Sequence, residues 1–327
     1  MKSFTHVNPK SLQETVSLLK ESRQGGETTA VVGGGSDLLG MIKEERVAPD
    51  VVVNLKTVEG LQGIDSGSDG VRIGGLVTVD ELSAHSLIRS QYTVLAEAAQ
   101  SVATPQIRNV GTVAGNVCQR PWCWYYREGF PCFKNGGERC FSIIGENQFN
   151  AIFGGGPSFI VHPSDTAPAL MALGASFRIV GPDQERWVPA SEFFILPREN
   201  VSRENVLAED EVLAEIRLPK VEAGERSHYV KVMDRETWTH AVVSVAISLQ
   251  VEGGICRKAR VVLGGVAPIP WHLPEVERML EGKRMTPEVA GQAGMLAVSG
   301  AQGLSKNAYK IPLTEALVRR TLISMTA

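Results

Sequence analysis

Four of the chain's five cysteines lie in one stretch rich in glycine, proline and tryptophan, at Cys118, Cys123, Cys132 and Cys140, and the fifth is Cys256. Four thiolates close together can hold a [4Fe–4S] cluster or a structural zinc ion. Zinc sites usually contain two cysteines separated by two residues, and that spacing is absent here. The pattern therefore favours a [4Fe–4S] cluster. Zinc, free thiols and a site that uses only some of the four cysteines remain as alternatives.

A glycine-rich turn near the start of the chain has the composition of an anion-binding loop. It follows a predicted strand, precedes a predicted helix and consists of Val32, Gly33, Gly34, Gly35, Ser36 and Asp37. Successive N–H groups that no side chain covers suit a pyrophosphate, especially beside a helix N-terminus. The pattern is not G-x-G-x-x-G, so a Rossmann site is not supported. A tight turn that needs glycine for positive φ explains the pattern equally well.

A second segment of small residues stands directly before the cysteines and contains Gly111, Thr112, Ala114, Gly115 and Asn116. Small residues let the backbone approach a flat ligand closely. The side chains of Thr112 and Asn116 can bond to phosphate or ribityl groups. A glycine-rich loop in a sheet is the simpler alternative.

Two charged residues further along are also candidates. Asp165 stands at a predicted helix start, where it either caps the helix or accepts a hydrogen bond from a cofactor hydroxyl group. Lys231 lies in a predicted strand, where it is either solvated or placed to stabilise negative charge on a flavin ring. The histidines show no paired metal spacing and no Ser/His/Asp arrangement is recognisable. We therefore assign no catalytic residue, and Lys231 is kept as a candidate electrostatic partner of a flavin ring.

The composition, with 43% hydrophobic and 21% charged residues, is that of a globular protein. The net charge of −3, without a run of Lys and Arg, gives no reason to expect nucleic-acid binding. No apolar run reaches the ~18 residues that a membrane span needs, and no secretory signal follows Met1. The clustered, odd-numbered cysteines argue against a disulfide framework. We expect a cytoplasmic protein, with export alongside a partner left open.

The hydrophobic pattern predicts an α+β architecture of two domains. Ser11 and Glu14 predict a capped helix, and strands are expected at 29–32 and 51–55. The polar, glycine-containing segment 222–226 marks the domain boundary. The predicted units are a first lobe at about 1–56, a second lobe at 57–221 with the cysteine stretch as an insert at about 117–156, and a smaller C-terminal α+β domain at 222–327.

Taken in order, the motifs resemble a known family. They lie at 31–38, 103–109, 111–116, 162–170 and 305–310, and together they resemble the FAD-binding medium subunit of the xanthine dehydrogenase family of molybdenum hydroxylases. The resemblance covers essentially the whole chain. It implies a vanillyl-alcohol-oxidase (PCMH-type) flavin fold in residues 1–221, whose two lobes hold FAD. A domain like that of the CO dehydrogenase flavoproteins, at 222–327, would cover the isoalloxazine ring.

The same resemblance implies roles for individual residues. The glycine turn at 32–37 would bind the FAD pyrophosphate. The residues implied to lie near the flavin or its ribityl chain are Ala103, Thr104, Gly111, Thr112, Ala114, Gly115, Asn116, Asp165, Leu213 and Lys231.

The cysteine insert resembles that of the β subunit of 4-hydroxybenzoyl-CoA reductase and of periplasmic aldehyde oxidase flavin subunits, which carry an extra [4Fe–4S] cluster. The match rests on the sequence CWYY at 123–126 and FPCFK at 130–134. The reductase has a further cysteine after the one that matches Cys140, and this chain has none there. Cys123, Cys132 and Cys140 are therefore better supported as ligands than Cys118.

The resemblance further implies an electron-transfer subunit whose partners are a large molybdopterin subunit and a small [2Fe–2S] subunit. Electrons would pass between the partner's [2Fe–2S] clusters and an external acceptor or donor through FAD. A free-standing flavin oxidase of the same fold is one alternative. A zinc-stabilised interaction protein without enzymatic activity is the other.

Overall fold

The computed structural model describes residues 1–325 and shows an α+β protein with three β-sheets. The first sheet has three parallel strands in the order β1-β3-β2. This lobe is built from β1 (Thr5–Val7), α1 (Leu12–Gln24), β2 (Thr29–Val32), α2 (Leu38–Lys43) and β3 (Val51–Asn54). Because β1 is only three residues long, the sequence pattern did not predict it.

Helix α1 begins at the residue that the sequence predicts. The Ser11 hydroxyl accepts a hydrogen bond from the N–H of Glu14 at 3.1 Å. The Glu14 carboxylate accepts from the N–H of Lys10, and not from that of Ser11 as in a full capping box. Val16 and Leu19 of α1 are fully buried in the core that also contains the strand β3. The helix ends at Gly25.

The second sheet is antiparallel, with five strands in the order β4-β5-β8-β6-β7. Its strands are β4 (Ile64–Gly67), β5 (Gly70–Gly74), β6 (Ser176–Val180), β7 (Glu185–Pro189) and β8 (Val212–Pro219). The helices of this lobe are α3 (Val79–Ala84), α4 (Ser86–Gln91), α5 (Thr93–Gln100), α6 (Pro105–Arg108), α7 (Val113–Val117), α8 (Trp124–Arg127), α9 (Thr166–Ala172) and α10 (Ala190–Phe193).

Short elements dominate the cysteine insert. Its regular structure consists of the end of α7, helix α8 and the 3-10 turns Phe133–Asn135 and Phe141–Ile143, and a further 3-10 turn, Leu55–Thr57, links the two lobes. Cys132 and Tyr126 form a small core here with Met41 of α2. The insert therefore packs on the first lobe.

The third sheet is antiparallel, in the order β12-β11-β10-β9. Its domain contains β9 (Glu225–Val232), β10 (Val243–Glu252), β11 (Ile255–Gly264), β12 (Trp271–His272), α11 (Pro274–Leu280), α12 (Pro287–Ala297) and α13 (Lys310–Ser324). Val245 and Ile247 belong to the core that also contains residues of the three helices, whereas the intervening Ala246 belongs to the core of the second lobe. Both faces of β10 are therefore covered, which explains why apolar residues point to both sides of the strand.

The segment 305–310 ties the C-terminal domain to the end of the insert. The side-chain amide of Asn307 donates to the carbonyl oxygens of Asn150 and Ala151, at 3.0 and 3.2 Å. Lys310 is fully buried and donates to the carbonyl oxygens of Phe149 and Gly265, both at 2.8 Å. These residues thus have a structural role.

Within residues 1–325, no helix has the length and apolar character to cross a bilayer.

Candidate functional site

The two glycine segments predicted from the sequence pack against each other. A Cβ atom at Gly34 would lie 1.9 Å from the carbonyl oxygen of Val110, so only glycine fits there. A Cβ atom at Gly33 would approach the Thr112 hydroxyl to 2.9 Å. Gly35 has a φ of +76°, which favours glycine. The turn before α2 and the segment before α7 therefore form one continuous backbone surface.

The first turn has uncommitted hydrogen-bond donors. In the part of the chain that the structure describes, the N–H groups of Gly34, Gly35 and Ser36 have no protein acceptor. Asp37 occupies the N-cap position of α2 without making a side-chain capping bond. Successive N–H groups without protein partners suit an anionic ligand. The turn thus fits a pyrophosphate group.

The second segment uses its polar side chains internally. The Thr112 hydroxyl accepts from the N–H of Gly115 at 3.2 Å and caps α7. The side-chain oxygen of Asn116 accepts from the hydroxyl groups of Ser164 at 2.6 Å and Thr166 at 2.7 Å. These bonds link the segment to the start of α9. Contacts between this segment and a ligand stay a prediction. Because its polar side chains are engaged, we expect such contacts mainly from its backbone.

Three other predicted residues lie where the segment meets the second sheet. The N–H of Gly111 donates to Ile107 at 2.7 Å, and that of Ala114 donates to Gly75 at 3.1 Å. A Cβ atom at Gly75 would meet the carbonyl oxygen of Leu213 at 2.7 Å. Leu213 is buried in the core of the second lobe, in strand β8. Its backbone, rather than its side chain, therefore approaches the glycine segments.

Asp165 forms a buried ion pair instead of capping a helix. It occupies the N-cap position of α9, but its side chain makes no capping bond. Its carboxylate accepts from Lys231 Nζ at 2.7 Å and from the Tyr229 hydroxyl at 2.8 Å. Lys231 also donates to the carbonyl oxygen of Ser101 at 3.0 Å. The alternatives of a helix cap for Asp165 and a solvated side chain for Lys231 are both wrong, and the pair joins the second lobe to the C-terminal domain.

Tyr229 is a polar residue of this cluster that the sequence interpretation missed. Burial raises the pKa of its hydroxyl well above 10, and the neighbouring Asp165 carboxylate raises it further, so the group stays a donor. Tyr229 and Lys231 are two residues apart on β9, so both side chains point to the same face of the strand. The two-residue spacing from Lys231 could have identified Tyr229 from the sequence.

Ala103 and Thr104 lie at the start of α6. Thr104 is its N-cap and accepts from the N–H of Ile107 at 3.4 Å, with Pro105 in the first turn. Ala103 has a φ of +41°, which is unfavourable for a residue with a Cβ atom. Its carbonyl oxygen accepts from the N–H of Trp238, whose φ is +55°. Strained residues of this kind often mark functional sites.

An aromatic contact connects the insert to the C-terminal domain. The ring centroids of Trp122 and His240 are 5.2 Å apart. Burial lowers the pKa of His240, although the charge of Asp165 opposes this shift. On its other side, Trp122 lies under the guanidinium group of Arg127, which pairs with Asp37 of the glycine turn. The insert thus contacts both regions that contain predicted cofactor residues.

The structure separates Cys118 from the other three clustered cysteines. Burial raises the pKa of Cys123, with smaller contributions from the nearby Cys140 and Cys132, whereas burial alone raises that of Cys118 to about 12. Cys118 packs against the core of the second lobe. Cys256 is buried in the C-terminal domain. Among residues 1–325, no three His, Cys, Asp or Glu side chains are arranged to hold a metal ion. A cluster therefore stays a prediction.

The sequence and the fold match one family of flavoproteins. Residues 2–221 match the family described as the FAD binding domain in molybdopterin dehydrogenase. Residues 228–325 match the CO dehydrogenase flavoprotein C-terminal domain. The chain belongs to this family, the FAD-binding medium subunits of the molybdenum hydroxylases, whose members are subunits of FAD-dependent oxidoreductases.

Similar proteins include two curated relatives and a solved structure. The chain is 31% identical to the aldehyde oxidoreductase FAD-binding subunit PaoB of Escherichia coli, over 100% of this chain and 98% of the relative. It is 28% identical to the carbon monoxide dehydrogenase medium chain of Hydrogenophaga pseudoflava, over 98% and 96% of the two chains. The structure of the H. pseudoflava carbon monoxide dehydrogenase matches with a TM-score of 0.77 and 26% identity, over 97% of this chain and 95% of that chain.

Proposed function

We propose that this chain binds FAD and transfers electrons between [2Fe–2S] clusters of a partner and an external acceptor or donor. Its partners would be a large molybdopterin subunit, where substrate reacts, and a small [2Fe–2S] subunit. The observation that carries the proposal is the pairing of two features within the family fold. These are the uncommitted N–H groups at 34–36 and the buried Asp165–Lys231 ion pair.

FAD accepts two electrons and can release them one at a time, while the protein supplies binding, position and charge. We assign the pyrophosphate to the N–H groups of the turn at 32–37. Lys231 places a positive charge where a reduced flavin would carry negative charge. Asp165 and Tyr229 hold Lys231 in position through the bonds described above.

We propose a separate role for each part of the chain that contains a β-sheet. The two lobes of residues 1–221 would hold FAD between them, and the C-terminal domain of residues 222–327 would cover the isoalloxazine ring. The Asp165–Lys231 pair supports this arrangement, because it links the second lobe to strand β9. Clustered cysteines without a disulfide pattern fit a reducing compartment, so we place the complex in the cytoplasm.

A second part of the proposal concerns the insert. We propose that Cys123, Cys132 and Cys140 take part in a [4Fe–4S] site, with Cys118 or a non-cysteine group as the fourth ligand. Cys132 and Cys140 lie close enough to Cys123 to raise the pKa of its thiol, which supports this. As arranged in the structure, these thiols do not form a metal-binding group. The proposed electron transfer therefore does not include the insert.

The first test is a UV–visible spectrum of anaerobically purified protein, with iron and sulfide assayed on the same sample. Flavin bands with about four iron atoms per chain would support both parts of the proposal. Flavin bands without iron would retain the FAD subunit and remove the cluster. If neither chromophore is present after reconstitution with FAD, iron and sulfide, the proposed function is wrong.

A further inference from the structure

Arg127, in the cysteine insert, makes a two-point ion pair with Asp37 of the glycine turn. Its Nη1 donates to Asp37 Oδ1 at 2.7 Å and its Nη2 to Oδ2 at 3.2 Å. The Arg127 side chain is 9% exposed and that of Asp37 is 20% exposed. The two residues are 90 positions apart in the chain. A partly desolvated pair of this geometry is strong and specific in orientation.

The remaining donors of Arg127 fix the insert itself. Its Nε donates to the carbonyl oxygen of Pro121 at 2.9 Å, and its Nη2 also donates to that of Arg120 at 3.1 Å. The guanidinium carbon lies 4.3 Å from the ring centroid of Trp122. One side chain therefore orders the loop that leads to Cys123 and holds it against the glycine turn.

The ion pair also changes the electrostatics of that turn. Asp37 directly follows the N–H groups at 34–36 that we assign to the pyrophosphate. An unpaired carboxylate at this position would repel a pyrophosphate anion, because like charges at short range in a half-buried site interact strongly. Within the described residues, Arg127 is the only cation that pairs with Asp37.

We infer that Arg127 is a positioning residue of the dinucleotide site: it neutralises Asp37 and holds the glycine turn, so that FAD retention depends on the cysteine insert. This inference rests on the proposed function and extends it. The insert would then contribute to FAD binding as well as contain the clustered cysteines. It would complete the pyrophosphate-binding region from outside the first lobe.

A double-mutant cycle on the full-length chain tests the inference. The measured quantity is the Kd of FAD for the apoprotein, followed by quenching of flavin fluorescence. We expect Arg127→Met to weaken FAD binding by about tenfold or more, since it leaves a partly buried carboxylate unpaired. Asp37→Asn/Arg127→Met should recover most of this loss, because the repelling charge is gone.

Arg139→Met is the matched control, because Arg139 lies in the same insert and its guanidinium stacks on Phe141 without an ion pair. It should leave the Kd within about twofold, as expected of an exposed side chain. Far-UV circular dichroism and thermal unfolding of each variant show whether the fold is retained. Arg127→Lys keeps the charge without the two-point geometry and should give an intermediate Kd.

Two outcomes would overturn the inference alone. In one, wild-type protein and the Arg127→Met variant bind FAD equally well. In the other, the double variant binds as weakly as Arg127→Met, which would show that neutralisation of Asp37 is not the role of Arg127. If the wild-type apoprotein does not bind FAD, the proposed function is wrong and the inference is wrong with it.

Discussion

The backbone N–H of Trp238 donates to the carbonyl oxygen of Ala103 at 3.4 Å, and both residues have positive φ. The bond joins the loop after β9 to the loop before α6. A residue with a Cβ atom in the left-handed region costs roughly 1–2 kcal/mol, and two such residues in contact require support from the surrounding structure. Ala103 is two residues from Ser101, whose carbonyl oxygen accepts from Lys231, and Trp238 lies in the loop after β9, so the strain occurs close in the chain to residues of the proposed flavin site.

Substitutions at Ala103 should report this strain. Ala103→Gly should raise the free energy of unfolding of the apoprotein by up to about 1 kcal/mol, since glycine tolerates positive φ but loses more entropy on folding. Ala103→Val should lower it, because a β-branched residue is least tolerated there. Urea unfolding measures both. An Ala103→Val variant as stable as wild type would show that Ala103 is not strained.

The contact between the two glycine segments should not tolerate a methyl group. In Gly34→Ala, the new Cβ would meet backbone rather than a movable side chain, at 1.9 Å from Val110. We expect the variant to lose FAD binding and at least about 2 kcal/mol of stability through overpacking. Equilibrium unfolding and FAD titration measure the two effects.

Gly40→Ala is the control for that substitution. Gly40 lies in α2 a short distance away, and an added Cβ there would meet nothing within 4 Å. Alanine is the better helix former, so stability should rise by roughly 0.5–1 kcal/mol with FAD binding unchanged. Equal losses in both variants would contradict a specific role for the close approach at Gly34.

Removal of Lys231 should be costly, because it leaves the Asp165 carboxylate buried without a counter-ion. Lys231→Met should lower the free energy of unfolding by about 3–5 kcal/mol. Lys306→Met removes a lysine whose partner Glu146 is also exposed, and it should cost less than about 1 kcal/mol. Similar losses in the two variants, measured by denaturant unfolding, would show that the Asp165–Lys231 pair does not stabilise the fold.

Lys310 should give the protein a pH-dependent stability. Burial lowers its pKa from 10.5 to about 7. Between about pH 7 and 10.5 the unfolded chain binds the proton more tightly than the folded one, so the contribution of Lys310 makes stability rise with pH over this window and stay level below it. The stability difference between wild type and Lys310→Met should therefore be larger at pH 9 than at pH 7. A difference that is constant or falls with pH would contradict the lowered pKa.

Iron binding should depend unequally on the clustered cysteines. Cys132→Ser should remove iron from the reconstituted protein, because Cys132 lies in the small core with Tyr126 and close to Cys123. Cys118→Ser tests the fourth ligand: iron is lost if Cys118 is that ligand and retained if a non-cysteine group is. Cys256→Ser, the matched control, should retain the iron, since Cys256 is buried in the C-terminal domain. Iron and sulfide assays measure the cluster content of each variant. Full iron content in the Cys132 variant would exclude Cys132 as a ligand.

Hydrophobic periodicity and capping residues predicted the helices and strands in which these patterns are clear. The 29–32 strand, the 51–55 strand and the helix after Ser11 all follow from periodicity and capping residues. Short elements such as β1 and α4 were missed, because a few residues give too little periodicity. Cofactor contacts at the predicted site residues stay predictions.

For this protein, the sequence by itself determined which local structures form and which chemical groups are available. It placed the glycine turn between a strand and a helix and the thiols in one insert, and it indicated the family. Only the tertiary structure decided which groups meet. From the sequence, Asp165 could cap a helix or accept a hydrogen bond from a cofactor hydroxyl group, and in the structure it pairs with Lys231, 66 residues away. Periodicity describes neighbours along the chain, whereas contacts such as Arg127–Asp37 depend on how separate sheets and loops pack.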